Sequence, residues 1–335
     1  MVTKHIDHLN LRKIMNSGQI FRMYEPEAGH FIVYSGDRRL ELYQYMDGEN
    51  DKDCGCTCKN YGENPAESRG GVVKTVFGCT PKEFGDYWED YFDLKRDYEA
   101  IVEKAREYEG TEFLKSACEY GADIRVLKQD IWEMMISFII SQQKQIPSIR
   151  KCIEGLCQRF GRKHIVHGEE ETWYGFPTAE EIASAGPEGL KGLSLGYRER
   201  YIYETSVKYL TEGIPDEQIS CMSYEEAKRY FCSYTGIGEK VADCICLFGA
   251  GFTDAFPIDV HVKDILYREF LPEDEKQGIE GDLKNRMKTS DIPRKKLLES
   301  LTYADYMKLI DDNFSQFKGA RGIVQQWIFA YEIKT

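Results

Sequence analysis

The 335-residue sequence contains no apolar run of about 18 residues, so no membrane-crossing helix is expected. Its first residues, Met1-Val2-Thr3-Lys4-His5, lack the apolar stretch of a secretory leader, and a cytoplasmic protein with no membrane partner is expected. Positive charge is not in excess: 44 Lys and Arg face 57 Asp and Glu, for a formal net charge of −13. That argues against a surface that is basic all round, although a local basic face stays open, because nucleic-acid binding depends on where Lys and Arg sit. No cysteine follows Cys246, which excludes a four-cysteine C-terminal cluster of the iron–sulfur kind. There is no convincing internal repeat.

Eleven cysteines are present, an odd number scattered along the chain. They read as reduced thiols, mostly small buried apolar groups. Cys54, Cys56 and Cys58 are separated by single residues, tighter than the usual metal-ligand spacing, so that stretch reads as a loop of small residues and no metal site is expected. Hydrophobic residues at 42% and charged residues at 30% suit a sizeable core in one large domain or two ordinary ones.

Strand signals dominate the first ninety residues. Phe31–Tyr34 and Leu40–Tyr43 flank the turn Ser35-Gly36-Asp37, and Val72–Phe77 reads as another strand. Asp47–Gly70 is polar, acidic and glycine-rich, a surface excursion. After Tyr91 the pattern becomes helical. Ile131, Met134, Met135, Phe138 and Ile139 share one helical face, and Ile146, Ile149, Ile153, Leu156 and Phe160 another, with Pro147 near its start and Gly161 as stop. Thr178–Glu181 and Ser223–Glu226 are capping boxes. The expected class is α+β, with an antiparallel β domain over 1–92 and a helical domain over 93–335.

The chemistry concentrates between Glu225 and Phe270. A helix ends near Cys232, the turn Ser233-Tyr-Thr-Gly236-Ile-Gly238 follows, and a second helix runs from Glu239 to about Phe248. The second helix presents free N–H groups and a positive dipole end, a ready phosphate site that reads no sequence. On the glycines alone, an ordinary helix corner is the better reading of the turn. Lys240 lies on the first turn of that helix, where dipole and burial should lower its amine pKa toward a usable nucleophile. Asp259, in Pro257-Ile-Asp259-Val-His261, reads as the N-cap of a helix bearing Val262, Ile265 and Leu266, and a capping carboxylate can also face a cleft and stabilise developing positive charge.

These residues resemble the helix-hairpin-helix and Gly/Pro-Asp loop of DNA glycosylases, and within that superfamily the 8-oxoguanine DNA glycosylase/AP lyases. Gly236-Ile-Gly-Glu-Lys240-Val-Ala-Asp-Cys-Ile-Cys246 carries the hairpin, with Tyr234-Thr235 where the family has Leu-Pro. Ser17-Gly18-Gln19-Ile-Phe21-Arg22, Ser137–Ser141, Leu195-Gly-Tyr197-Arg198-Glu-Arg200-Tyr201 and Gly322–Phe329 resemble four further family segments, so the likeness runs from residue 17 to 329. It implies a TBP-like sheet domain before a helical glycosylase domain, with double-stranded DNA containing an oxidised purine as partner and a monomer associated with a bacterial nucleoid. Lys240 would attack C1′ and Asp259 would assist. The Gly18 carbonyl would accept the N7–H that marks 8-oxoguanine, Gln325 would read the Watson–Crick edge, and Phe329 and Cys244 would sandwich the base. Gln143 would fill the vacated gap, Tyr197 and Arg198 would meet the opposite strand, and His261, Gly236 and Gly238 would hold phosphate. Ser148 stands where eukaryotic members use an Arg against the opposite cytosine, which leaves opposite-base preference open; the mixture looks like a clostridial or bacterial member. No cofactor is required, though a structural cation could sit on the carbonyls of Cys232, Tyr234 and Ile237.

Two other functions remain: a monofunctional glycosylase for alkylated purines such as 3-methyladenine, using Asp259 and water, and a non-catalytic DNA-binding module. Substitution separates the last from both enzymes. Asp259→Asn keeps the capping acceptor and should leave thermal stability within about 0.5 kcal/mol, whereas Asp259→Ala should cost about 1 kcal/mol. An enzyme loses base release in Asp259→Asn; a binding module keeps every measurable property.

Overall fold

The computed structural model describes residues 1–46, 73–108, 110–166 and 171–334. The stretch Asp47–Gly70, with Cys54, Cys56 and Cys58, lies outside them. Five antiparallel strands, β1 (Val2–Ile6), β2 (Met23–Glu27), β3 (His30–Ser35), β4 (Arg38–Met46) and β5 (Val73–Phe77), form a sheet in the order β1-β5-β4-β3-β2. The expected hairpin forms with Ser35 opposite Arg38, and Gly36 takes the positive φ that this tight turn demands. Period-two alternation turns Leu40, Leu42, Val73 and Phe77 inward.

The first ninety residues are not all β. Residues 81–91 are helical, opened by Thr80 as N-cap and Pro81, with a wide π turn over Phe84–Trp88. Phe84, Trp88, Tyr91 and Phe92 recur at helical spacing and bury together. Phe77 of the sheet meets Phe84 and Phe92 edge-on at 4.9 and 5.7 Å, which seats the sheet on this segment. A short ribbon of Lys163–Ile165 and Thr172–Tyr174 also interrupts the helical part.

The helix Ile131–Ser141 departs from a one-faced reading: every residue from Ile131 to Ile140 is buried. It is the central rod of the molecule, apolar all round because neighbours cover it on every side. Its one carboxylate, Glu133, accepts the Gly36 N–H at 2.7 Å and faces Arg22 at 3.7 Å, so a buried charge pair ties the sheet's turn to the central helix. Against this rod pack Ile146–Phe160, which starts and stops at Pro147 and Gly161 as expected, and Glu239–Phe248, which in turn carries Tyr224–Cys232. The capping boxes at Thr178 and Ser223 both form, and a third joins Thr302 to Asp305. The last helix, Arg321–Ile333, drives Trp327 against Gly121, where a Cβ would come within 2.3 Å of the side chain. No helix among the described residues is long and apolar enough to cross a membrane.

Burial pushes the Glu133 carboxyl up to about 7, against the pull of Arg22. A raised acid stabilises the fold fully below its unfolded value, and that contribution is lost as pH rises through the folded value. Unfolding free energy should therefore fall by roughly 1–3 kcal/mol between pH 5 and pH 8. Glu133→Gln should flatten this slope in thermal or urea unfolding series; an unchanged slope would assign it to other groups.

Candidate active site

The turn between Tyr224–Cys232 and Glu239–Phe248 uses its two glycines differently. Gly236 has φ +82°, and a Cβ there would lie 2.5 Å from the Tyr201 ring, so both backbone conformation and close approach exclude a side chain. Gly238 is extended, exposed and open; it is the N-cap of the second helix, and no side chain caps that end. The first-turn N–H groups therefore stay available to an anion arriving from outside.

Lys240 sits on this first turn with its amine drawn inward, 5.5 Å from the centroid of the Phe138 ring. Phe138 belongs to the central helix and packs between Phe21 and Phe248, each at 5.7 Å. Burial works against charge on the amine, but the Cys244 thiol one turn along and the Asp259 carboxylate outweigh it, and the amine is held above its ordinary value. This reverses the expected lowering: dipole and desolvation disfavour the ammonium, while a nearby carboxylate, a thiol partner and a ring face favour it more. Burial pushes the Cys244 thiol up to about 11, with the Lys240 ammonium working in the other direction. Asp259 caps the helix Val260–Ile265 as expected, its Oδ1 accepting the Val262 N–H at 2.8 Å. One carboxylate thus closes a helix and projects its field onto Lys240.

The N-terminal motif and the last helix meet at the same place. Gly18 has φ +81°, and a Cβ there would come 2.9 Å from Cε1 of Phe329. The Phe329 ring stands edge-on to exposed His261, 6.2 Å between centroids. Gln325, one turn earlier, is 4% exposed, and its Oε1 is buried without a hydrogen-bond partner. A buried amide oxygen left unpaired is costly unless a ligand completes it. Sequence reasoning passed over the residues that hold this arrangement. Gln326 Nε2 donates to the Ser17 carbonyl at 2.6 Å. Gln19 donates through Nε2 to the Arg125 carbonyl and accepts the Leu127 N–H through Oε1, and Gln129 Nε2 donates to the Gln19 carbonyl. Gln19 and Gln326 adjoin flagged positions, a signal that was present; Gln129 has none.

Phe329 lies against the backbone of Gly18. Two cavities of about 340 and 270 Å³ lie elsewhere, and neither is lined by Lys240, Asp259 or Phe329. Gln143 is exposed with φ +51°, Tyr197 is 50% exposed, and Ser148 is exposed. Arg198 is only 6% exposed: one Nη donates to the Leu195 carbonyl at 3.0 Å and the other to the Gln142 carbonyl, so in this structure it braces two loops. The Tyr234 carbonyl already accepts the Ile237 N–H at 3.2 Å, and among the described residues no group of three or more His, Cys, Asp or Glu side chains is placed to hold a metal.

Residues 1–135 match the 8-oxoguanine DNA glycosylase N-terminal domain, and residues 136–288 match the HhH-GPD superfamily of base excision DNA repair proteins. The chain belongs to the HhH-GPD superfamily. This superfamily member is 34% identical over 221 residues to the N-glycosylase/DNA lyase of Saccharomyces cerevisiae, covering 63% of this chain and 57% of the yeast protein. It is 30% identical over 153 residues to the N-glycosylase/DNA lyase OGG1 of Arabidopsis thaliana, covering 44% and 41%. The match thus spans less than two thirds of either of these curated relatives. Among solved structures, MBOgg1 in complex with a low-affinity DNA ligand superposes with a TM-score of 0.71 at 28% identity, covering 99% of this chain and 96% of the other. The 8-oxoguanine glycosylase/lyase of Clostridium acetobutylicum, in complex with DNA containing cytosine opposite the lesion, shares the fold at TM-score 0.72, 24% identity and coverage of 100% and 98%.

The geometry of this HhH-GPD protein predicts that the Lys240 amine, followed by NMR of isotope-labelled methylated lysines and assigned with Lys240→Gln, titrates above the ordinary value of about 10.4. Asp259→Asn should bring it down by removing the anion. A wild-type value below the ordinary one would overturn the assignment of Asp259 as its electrostatic partner.

Proposed function

We propose that this protein is a base-excision DNA glycosylase with an associated lyase activity, acting on 8-oxoguanine in duplex DNA. One observation carries the reading: a buried lysine amine on the first turn of the hairpin helix, within the field of an N-cap aspartate. Enzymes that release bases with water alone need the carboxylate but not the amine. The relatives named above as N-glycosylase/DNA lyases support the same reading.

The chemistry follows from the groups. The damaged nucleotide leaves the stack at a cost of a few kcal/mol. Deprotonated Lys240 Nζ bonds to C1′ as the glycosidic bond breaks, and the base departs with the bonding electron pair and takes up a proton. Asp259 stabilises the positive charge that grows on the sugar. The C1′ adduct opens to an imine, which acidifies the C2′ proton. Loss of that proton expels the 3′ phosphate, and hydrolysis of the imine frees the lysine. Because Lys240 is held as ammonium in the free protein, its proton must leave before attack, so single-turnover excision should accelerate with pH through the neutral and alkaline range.

Recognition divides among the remaining residues. The Gly18 carbonyl accepts N7–H, which 8-oxoguanine has and guanine lacks, so one polar contact changes sign between lesion and normal base. Gln325 Oε1, now unpaired, finds its donor on the Watson–Crick edge. Phe329 covers the base opposite Cys244. Gln143 occupies the gap, Tyr197 wedges beside the opposite strand where Arg198 lies, and His261 and the Gly236–Gly238 turn take backbone phosphates. No cofactor is needed, and a cation on the hairpin carbonyls would be structural.

Borohydride should trap a covalent protein–DNA adduct on 8-oxoguanine duplexes, and Lys240→Gln should abolish it. Gln325→Ala should cost about 1–3 kcal/mol of transition-state stabilisation on that substrate. Cleavage assays with 8-oxoguanine opposite each of the four bases give the opposite-base preference that Ser148 leaves open. Release of 3-methyladenine with no trapped adduct would replace this reading with the alkylpurine one.

A further inference from the structure

Three loops face outward around Lys240: the loop 142–145 after the central helix, the Leu195–Tyr197 loop, and the hairpin turn 233–238. They are cross-linked as a closed triangle. On the first side, Gln142 Nε2 donates to the Gly236 carbonyl at 2.7 Å. On the second, Arg198 donates to the Gln142 carbonyl, and Lys144 Nζ donates to the Ser194 carbonyl at 2.8 Å. On the third, the helix Arg198–Glu212 into which the Leu195–Tyr197 loop leads meets the hairpin: Thr205 Oγ1 donates to the Thr235 carbonyl at 3.0 Å, and the Tyr201 ring fills the space a side chain at Gly236 would need. Gln142 serves two sides at once, one through its amide and the other through its backbone carbonyl. The next residue, Gln143, is held exposed at φ +51°, a conformation a non-glycine residue keeps only when its surroundings impose it.

We propose that Gln142 is a positioning residue that staples these three loops into one rigid unit and thereby sets the height and direction of Gln143 against the vacated base stack. The inference rests on the base-excision reading above and adds a residue that touches neither the lesion nor the sugar. Gln142 acts through Gln143: the hairpin grips phosphate, and the staple fixes how far the neighbouring loop stands from that grip. A preformed wedge lowers the ordering cost of extrusion, which a floating loop would incur at each encounter.

The test uses the full chain in a Lys240→Gln background, so that extrusion is read without chemistry. 2-Aminopurine beside 8-oxoguanine reports the population of the flipped state. With the lesion paired in a duplex, Gln142→Ala should reduce that population about tenfold, as expected for one lost buried hydrogen bond. With the lesion as a single-nucleotide bulge, which leaves no partner base to support, the same variant should match its parent. Gln143→Ala and the Gln142→Ala/Gln143→Ala pair should be equally impaired on the paired duplex, because one residue acts through the other. Lys144→Met, which opens another side of the triangle, should reproduce the paired-versus-bulge pattern if Gln142→Ala itself folds poorly. Equal losses on both substrates, or additive losses in the double variant, would overturn the staple. A Lys240→Gln parent that extrudes 3-methyladenine but not 8-oxoguanine would instead refute the substrate reading, with the same ratios then read on that lesion. A parent that extrudes neither would refute both.

Discussion

The arrangement of the site depends on one hydrogen bond between residues 309 positions apart, the Gln326 amide donating to the Ser17 carbonyl. It fastens the loop that follows the short helix Leu11–Asn16 to the last helix of the chain. Gln19 of that loop accepts the Leu127 N–H and the Gln129 amide, which ties the loop also to the segment leading into the central helix. These amides are buried, so each must find its partner or cost the fold a desolvated polar group. That requirement, together with the packing of the last helix, brings Gly18 within van der Waals reach of Phe329 and places Gln325 in the same wall.

Around this fastening the molecule places charge sparingly and pairs it. Glu133 and Arg22 sit where sheet and helices meet, and Lys228 and Asp243 behind the hairpin helix are joined at 3.0 Å. Breaking either buried pair would strand an uncompensated charge, so such pairs specify which elements may meet more than they add net stability. Lys240 and Asp259 differ. Asp259 satisfies its own helix and reaches the amine only through its field, while the amine rests near an aromatic face and a thiol. As the nucleophile proposed above, Lys240 would first have to give up its proton.

Much of the architecture was legible locally. The β3–β4 hairpin, the helix between Pro147 and Gly161, the capping boxes at Thr178 and Ser223 and the Asp259 cap each depend on interactions within a few residues, and each formed. The errors arose where local signals compete or where neighbours decide. The strand reading of the first ninety residues passed over the helical spacing of Phe84, Trp88 and Tyr91, which packing against Phe77 confirms as a helix. The face assigned to Ile131–Ser141 was real, but only the surrounding elements bury the other faces too.

The sequence by itself determined the hairpin with its glycines, the cap at Asp259, and the residue types able to do nucleophilic and carboxylate chemistry, because those are local properties of side chains and backbone. The tertiary structure alone decided the upward push on the Lys240 amine, the seating of Phe329 against Gly18, the unpaired oxygen of Gln325 and the inward bracing role of Arg198. Each of these depends on groups distant in the chain whose fields, donors and volumes add only when the chain is folded, and no spacing along the sequence encodes such sums.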